Sequence, residues 1–351
     1  MTYTHADRTQ TGQAQVPDRM RASVLVEAGQ VVVEERGVPV PTADGVLVRV
    51  QAVGLCGSDV HYYRHGRIGS FVVERPMILG HESAGVVAAV GADVDPGRIG
   101  QRVSVEPQRS CRVCAYCKRG EYNLCRQIEF YATPPIDGSF AEYATIQADF
   151  AHPIPDSMSI EAAALLEPLS VGIATARKAG FAPGSSVLIA GCGPIGLITA
   201  QVAKAYGAGE IVMTDLVPAR RDRALTLGAT RAVDPAVEQL PDAYYDAFVD
   251  ATGALSAVRS GIMATAPGGT AVLVGMGDDD MNLPVSTITS REISVTGIFR
   301  YNNTWPTAIA LVEQGLVDLD VLVTAHYGLD QVVTAIETDT DPDSLKSIIT
   351  P

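Results

Sequence analysis

The segment that most narrows the possible folds is SVLIA at 186–190, which runs directly into Gly191-Cys192-Gly193-Pro194-Ile195-Gly196 and then into an apolar stretch reaching about Tyr206. A buried strand, a glycine-rich turn and a helix in that order make a βα unit, and each glycine of the G-x-G-x-x-G spacing has a physical reading. Gly191 permits the tight turn, Gly193 lets backbone approach a pyrophosphate, and Gly196 lets the helix pack closely on the strand. The helix N-terminus favours the anion. Alone the pattern is weak, because a glycine-rich turn in a sheet protein can bind nothing. Here it is followed by EIVMTD, whose final Asp215 stands at the end of the next strand. An acid there accepts hydrogen bonds from the adenosine ribose and repels a 2′-phosphate, so NAD rather than NADP is expected. Arg220 and Arg221 lie nearby and work against that preference. Cys192, between the glycines, reads as a small packing residue.

Strand and helix continue to alternate beyond this unit. A helix is expected across 218–227, then strands in ATRAV, DAFVDAT and TAVLVGMG, with the apolar stretch 254–264 between the last two and a sixth strand at 293–298. Near-continuous apolar runs at this spacing imply a parallel, doubly wound α/β sheet. The chain from 21 to about 150 has a different texture, with short runs such as ASVLVEAG, VVVEE and GVLVRVQAVG between Gly and Pro, which implies a compact β-rich domain. Residues 159–178 read as helical, broken only at Glu167-Pro168, and 306–315 as one more helix. The first twenty residues are polar, lack the apolar core of a secretory signal, and are expected to form a flexible extension, with the folded chain starting near Met20. No apolar run approaches the roughly 20 residues of a membrane span. A formal net charge of −14 repels phosphate backbones, so neither nucleic acid nor membrane is an expected partner, and a cytoplasmic location is expected.

Four of the six cysteines, Cys111, Cys114, Cys117 and Cys125, crowd into one short segment. Thiolates spaced this closely converge on one tetrahedral ion, and structural zinc takes four such sulfurs. An iron–sulfur cluster is the alternative. Two disulfides would need an oxidising compartment, to which nothing in the sequence points. Arg109, Arg112, Lys118 and Arg119 stand where they would offset the negative charge of a metal tetrathiolate. A second constellation is dispersed: Cys56 in GLCGSDVHYY, His81-Glu82 in LGHESAG and Glu167 in LLEPLSVG. Singly these are unpersuasive, since a lone His is most often structural and a buried Cys most often a small hydrophobe. Together, one thiolate, one imidazole and one or two carboxylates make a mixed set with an open position, the catalytic pattern for zinc.

In this order GLCGSDVHYY, GHESAGVVAAVG, the four-cysteine lobe, EPLSVG, GCGPIG and FRYNNTWP resemble the zinc-dependent medium-chain dehydrogenases, and among them the sorbitol (L-iditol) and xylitol dehydrogenases. The resemblance runs from about Arg21 to the C-terminus. It implies a GroES-like catalytic domain at 21–167 and 302–351, split by a Rossmann NAD-binding domain at 168–301. It also implies two zinc ions per chain. The structural one would be held by the four clustered cysteines, and the catalytic one by Cys56, His81, Glu82 and Glu167. Glu167 stands where typical alcohol dehydrogenases carry a third cysteine ligand, and which of the two glutamates touches the metal is left open. By the same resemblance Tyr62, Phe130, Glu167, Arg300 and Tyr301 line the substrate site, and Ser58, His61 and Glu167 handle the proton. The glycines of the turn, Ile195, Asp215, Arg220, Val274, Met276, Phe299 and Arg300 would surround NAD. The activity implied is oxidation of the C2 hydroxyl of sorbitol, xylitol or a related polyol to the ketose, by a homo-oligomer that is often tetrameric in the family. A dehydrogenase of another secondary alcohol, L-threonine or 2,3-butanediol, is the alternative. A non-catalytic relative of the fold would have lost a metal ligand, and none is missing. Several animal sorbitol dehydrogenases lack the structural cysteines, whereas this chain keeps all four.

Overall fold

A computed structural model describes residues 16–278, 280–338, 341 and 343–351. β-Branched runs between Gly and Pro form the first layer. β1 (Arg19–Glu27) and β2 (Gln30–Gly37) make an antiparallel pair. β3 (Gly45–Gly54) is buried along most of its length and lies mid-sheet, after which α1 (Gly57–His65) leads towards β4 (Glu82–Val90). β5 (Arg102–Val105) precedes the cysteine lobe with its short helix α2 (Ala115–Lys118), and β6 (Tyr143–Gln147) and β7 (Ala151–Pro153) complete this part. Since β1 begins at Arg19, ordered strand starts slightly before Met20; the rest of the expected extension, 1–15, lies outside the described residues.

Next come α3 (Ile160–Ala164) and α4 (Leu166–Ala179). The expected break at Glu167-Pro168 is corrected: the chain turns at Leu165 (φ −76°, ψ 1°), and the helix runs through Pro168. Proline is tolerated in a first turn because its missing N–H has no intrahelical acceptor there. The shift places Glu167 in the first turn of α4.

The doubly wound unit follows: β8 (Ser186–Ala190), α5 (Pro194–Ala205), β9 (Glu210–Thr214), α6 (Pro218–Thr226), β10 (Arg231–Val233), β11 (Tyr245–Asp250), α7 (Leu255–Ala264), β12 (Thr265–Leu273) and β13 (Ser294–Gly297). The strands are parallel in the order β10-β9-β8-β11-β12-β13, so the direction of winding reverses between β8 and β11. Ligands of open α/β sheets lie in the crevice at that reversal, beyond the carboxyl ends of the strands. β12 starts earlier than TAVLVGMG implied and ends at Leu273, leaving Val274–Gly277 as a turn.

α8 (Trp305–Glu313) then packs on α4, and β14 (Val323–Gly328) and β15 (Lys346–Thr350) rejoin the first sheet, giving the order β7-β5-β4-β3-β15-β14. β15 is antiparallel to β3, with Ile348 opposite Gly54 and Ile349 opposite Val53. One apolar cluster runs from Ala52 and Ala84 of the first sheet through α3 and α4 to Val187 and Ile189 of the second, so the two sheets share the buried side of α4. Trp305 is fully buried at the start of α8, its ring 5.3 Å from that of Tyr301 and stacked 5.4 Å from that of His152. Among the described residues no helix is long and apolar enough to cross a membrane.

Candidate active site and metal centres

Strand register assembles the first centre. Cys56 follows the end of β3, Glu82 opens β4, and the two strands pair Gly54 with Glu82. One ligand atom from each of Cys56, His81 and Glu82 lies within 4.8 Å of the others. The buried carboxylate of Asp59 braces them. Its Oδ2 accepts the Cys56 N–H at 3.0 Å, and its Oδ1 accepts the Gly80 N–H at 2.9 Å and stands 3.8 Å from His81 Nδ1. Glu82 Oε1 accepts from the Lys346 ammonium, which also donates to the Leu55 carbonyl at 2.9 Å. Glu82 Oε2 is buried with no hydrogen-bond partner. A glycine is needed beneath it, because a Cβ at Gly54 would meet Oε2 at 2.0 Å. Burial alone would lower His81, yet the Cys56 thiolate and the Asp59 and Glu167 carboxylates raise it to about 10. Three ligand atoms thus converge within 4.8 Å of one another, and the buried Glu82 Oε2 lacks a partner. These residues fit a zinc ion.

Glu167 is not part of that three-residue group. Its Oε1 accepts the Tyr301 hydroxyl at 2.6 Å, so the expected set of four becomes three with Glu167 as a neighbour. Burial pushes the Glu167 carboxyl up, against an opposing pull from His81. Arg300 lies over Phe130, its guanidinium carbon 3.9 Å from the ring centre, and Phe130 in turn sits 5.5 Å from the His81 ring. Arg300 Nη2 donates to Thr133 Oγ1 at 3.3 Å, while Nη1 is buried without a partner. Burial lowers Arg300 to about 10 and raises the phenol of Tyr62 to about 12. Ser58 is half-buried in the first turn of α1. Asp59, Val60 and Tyr62 form the buried side of α1, whereas His61 is exposed with its ring 5.4 Å from that of His65.

The second centre is the cysteine lobe. The sulfurs of Cys111, Cys114, Cys117 and Cys125 lie within 4.8 Å of one another, with Cys114–Cys117 at 3.5 Å and Cys111–Cys117 at 3.9 Å. Disulfide sulfurs are about 2 Å apart, whereas Zn–S bonds of about 2.3 Å place tetrahedral sulfurs roughly 3.8 Å apart. The lobe therefore fits one zinc ion and leaves no room for a multi-atom cluster. Backbone N–H groups of Cys111, Cys114 and Gln127 point at its sulfurs, at 3.5, 3.4 and 3.4 Å. Around the lobe Arg109 pairs with Glu129, Arg112 with Asp149 and Asp44, and Arg119 with Glu121, while Arg119 is also drawn by the Cys114 sulfur.

At the glycine-rich turn, Gly191 adopts φ 98°, and a Cβ on Gly196 would meet the Gly191 carbonyl at 1.9 Å. A Cβ on Gly193 would face open space, so that side of the turn is free for a pyrophosphate. Asp215 accepts the N–H groups of Cys192 and Val217, both at 2.9 Å, and thereby ties the end of β9 to the turn. Arg221 is committed to the Asp215 carbonyl at 2.7 Å and to Asp234 at 3.2 Å. Ile195 lies in the first turn of α5, Arg220 on α6 and Val274 just past β12. Met276 and Phe299 are 50% and 44% exposed, and Leu216, which sequence reasoning missed, is 67% exposed beside Asp215. An apolar side chain directly after the acid was its only signal. Lys346 and Asp59 were missed too. A lone Lys heading the apolar KSIIT hinted at the first, and nothing local marked the second.

Comparison with known proteins agrees with this geometry. Residues 42–156 match the alcohol dehydrogenase GroES-like domain, and residues 194–314 match the zinc-binding dehydrogenase family. Sorbitol dehydrogenase of Bacillus subtilis is 44% identical over 331 residues, covering 92% of this chain and 94% of its own. Among solved structures, L-idonate 5-dehydrogenase from Escherichia coli superposes with a TM-score of 0.90 at 30% identity, covering 95% of this chain and 98% of its own. (2R,3R)-Butanediol dehydrogenase from Bacillus subtilis gives a TM-score of 0.87 at 29% identity, with coverages of 95% and 99%. Likeness of this degree, along nearly the whole chain, makes it a member of the zinc-dependent medium-chain dehydrogenases.

Proposed function

We propose that the chain is an NAD-dependent polyol dehydrogenase, oxidising the C2 hydroxyl of sorbitol, xylitol or a related polyol to the ketose. The observation that carries this reading is the buried, unpartnered Nη1 of Arg300, whose neighbour in the chain, Tyr301, is hydrogen-bonded to Glu167. A buried donor without an acceptor is costly, and a hydroxyl next to the reacting carbon supplies one. Cys56, His81 and Glu82 would hold the zinc, which would supply Lewis-acid stabilisation of developing negative charge, and the glycine-rich turn would hold NAD as the hydride acceptor.

The chain's own residues do the rest. Asp59 holds His81 and the Cys56 backbone in place. Tyr301 fixes Glu167 through Oε1, which leaves Oε2 to take the hydroxyl proton, and a carboxyl raised by burial holds that proton well. Ser58, half-buried on α1, and exposed His61 one turn further along it carry the proton outward to solvent. Arg300 and Tyr62 receive the neighbouring hydroxyls. In domain terms, 21–167 and 302–351 form the catalytic domain and 168–301 the dinucleotide domain, supported by the return of β14 and β15 to the first sheet. A homo-oligomer in the cytoplasm belongs to the same reading.

The reading is tested by a substrate panel of polyols, 2-propanol, threonine and butanediol, followed by NADH absorbance. Two variants test its parts. His81→Gln should lower bound zinc from about two to about one per chain, measured by elemental analysis. A chain that keeps both ions would show His81 is no ligand. Asp215→Ala should weaken NAD and raise the relative use of NADP, by removing the charge that repels a 2′-phosphate. Wild-type preference for NADP would overturn the role given to Asp215.

A further inference from the structure

Residues 299–303, just past β13, include two non-glycine residues with left-handed backbone, Arg300 (φ 57°) and Asn303 (φ 49°). Such conformations persist where the surroundings over-determine them. The cysteine lobe supplies much of that determination. Asn123 Nδ2 donates to the Phe299 carbonyl at 2.9 Å, and Asn302 Nδ2 donates back to Asn123 Oδ1 at 2.7 Å. The Asn303 N–H donates to the Tyr122 hydroxyl at 2.7 Å, and Asn303 Nδ2 to the Gly120 carbonyl at 2.9 Å. Behind them the buried Glu106 accepts from Tyr122 at 2.7 Å and from Gln108 Nε2 at 3.0 Å, and the same Nε2 reaches the Tyr301 carbonyl at 3.1 Å. On the opposite side Arg177 of α4 donates to the Asn302 and Asn303 carbonyls at 3.2 Å. Every carbonyl from Phe299 to Asn303 except that of Arg300 is therefore held from outside the segment.

Tyr122 and Asn123 lie between Cys117 and Cys125, so the convergence of the thiolates fixes where they stand. We infer that the cysteine lobe is the positioning device for the substrate segment, with Tyr122 and Asn123 setting the place of Arg300 and Tyr301. The inference rests on the polyol reading for what those two residues bind. It gives the lobe a part in substrate selection, in addition to local folding.

The test uses the zinc-loaded enzyme and Asn123→Ala, with two readouts: amide hydrogen exchange of 299–303, and the ratio of kcat/KM for sorbitol to that for 2-propanol. Two hydrogen bonds are lost, so exchange should quicken and the ratio fall, each by about tenfold or more. The rate on 2-propanol and the zinc content should not change, because a plain alcohol does not use the bonds that Arg300 offers. Asn303→Gly keeps the left-handed backbone at ease while removing the bond to Gly120. It should move both readouts the same way, which secures the test if the first variant folds poorly. Unchanged exchange in both variants overturns the inference, and so does a fall of both substrates together at constant ratio. A wild type with no polyol preference would remove the polyol reading instead, and the exchange measurement would then decide alone whether the lobe holds the segment.

Discussion

Sorbitol or xylitol should be oxidised with a kcat/KM on the order of 10⁴ above that for 2-propanol. The expectation follows from what a plain alcohol leaves undone. Arg300 Nη1 is already buried without a partner, and its guanidinium carbon lies 3.9 Å from the Phe130 ring centre and 4.7 Å from that of Phe299. A polyol would bring a second hydroxyl to that nitrogen, whereas 2-propanol leaves it sealed away unsatisfied. A site built to bond a hydroxyl rejects analogues lacking it far more strongly than an apolar pocket rejects a missing methylene. Arg300→Ala should therefore lower polyol turnover and leave the poor turnover of 2-propanol nearly unchanged. The reading fails if threonine or butanediol is used with a higher kcat/KM than every polyol tested.

In the zinc-free protein Lys346→Met should lower the unfolding free energy by about 3–5 kcal/mol, because there it strands a buried carboxylate. Lys346 and Glu82 are both almost wholly buried, and the ammonium has the Glu82 carboxylate and the Leu55 carbonyl as partners. Burial alone would lower Lys346, and Glu82 holds it above the ordinary lysine range. Methionine keeps the length and apolar stem of lysine, so packing changes little and the lost charge accounts for the effect. Adding Glu82→Gln should recover much of that stability in the zinc-free protein by removing the stranded charge. Denaturant midpoints of the two variants check this, and a midpoint like the wild type's for Lys346→Met would show that the pair contributes nothing.

The features legible in the sequence are local ones. The glycine spacing, the apolar runs of β8 and β9 and the cysteine spacing each carry their meaning within a few residues and appear as read, whereas β12 begins earlier and ends sooner than its run implied. Cys56, His81 and Glu82 were legible as a set because each sits in a distinctive segment, and strand pairing does bring them together. Lys346 was not legible, because its partner lies across a sheet that closes only when β15 pairs with β3. The share of Glu167 in the metal site turned on Tyr301, a contact between the first turn of α4 and a segment beyond the second sheet.

Trp305 is the only tryptophan in the chain. Its indole N–H is bonded to Ser104, and its ring touches both Tyr301 and His152. All intrinsic indole emission thus originates at one sheltered point, a single shell of contacts from the phenol that grips Glu167. Any shift of Tyr301 on substrate entry alters the surroundings of the one fluorophore, with no second indole to dilute the signal. The enzyme carries its own optical gauge of the active site, and unlabelled protein is enough to read it.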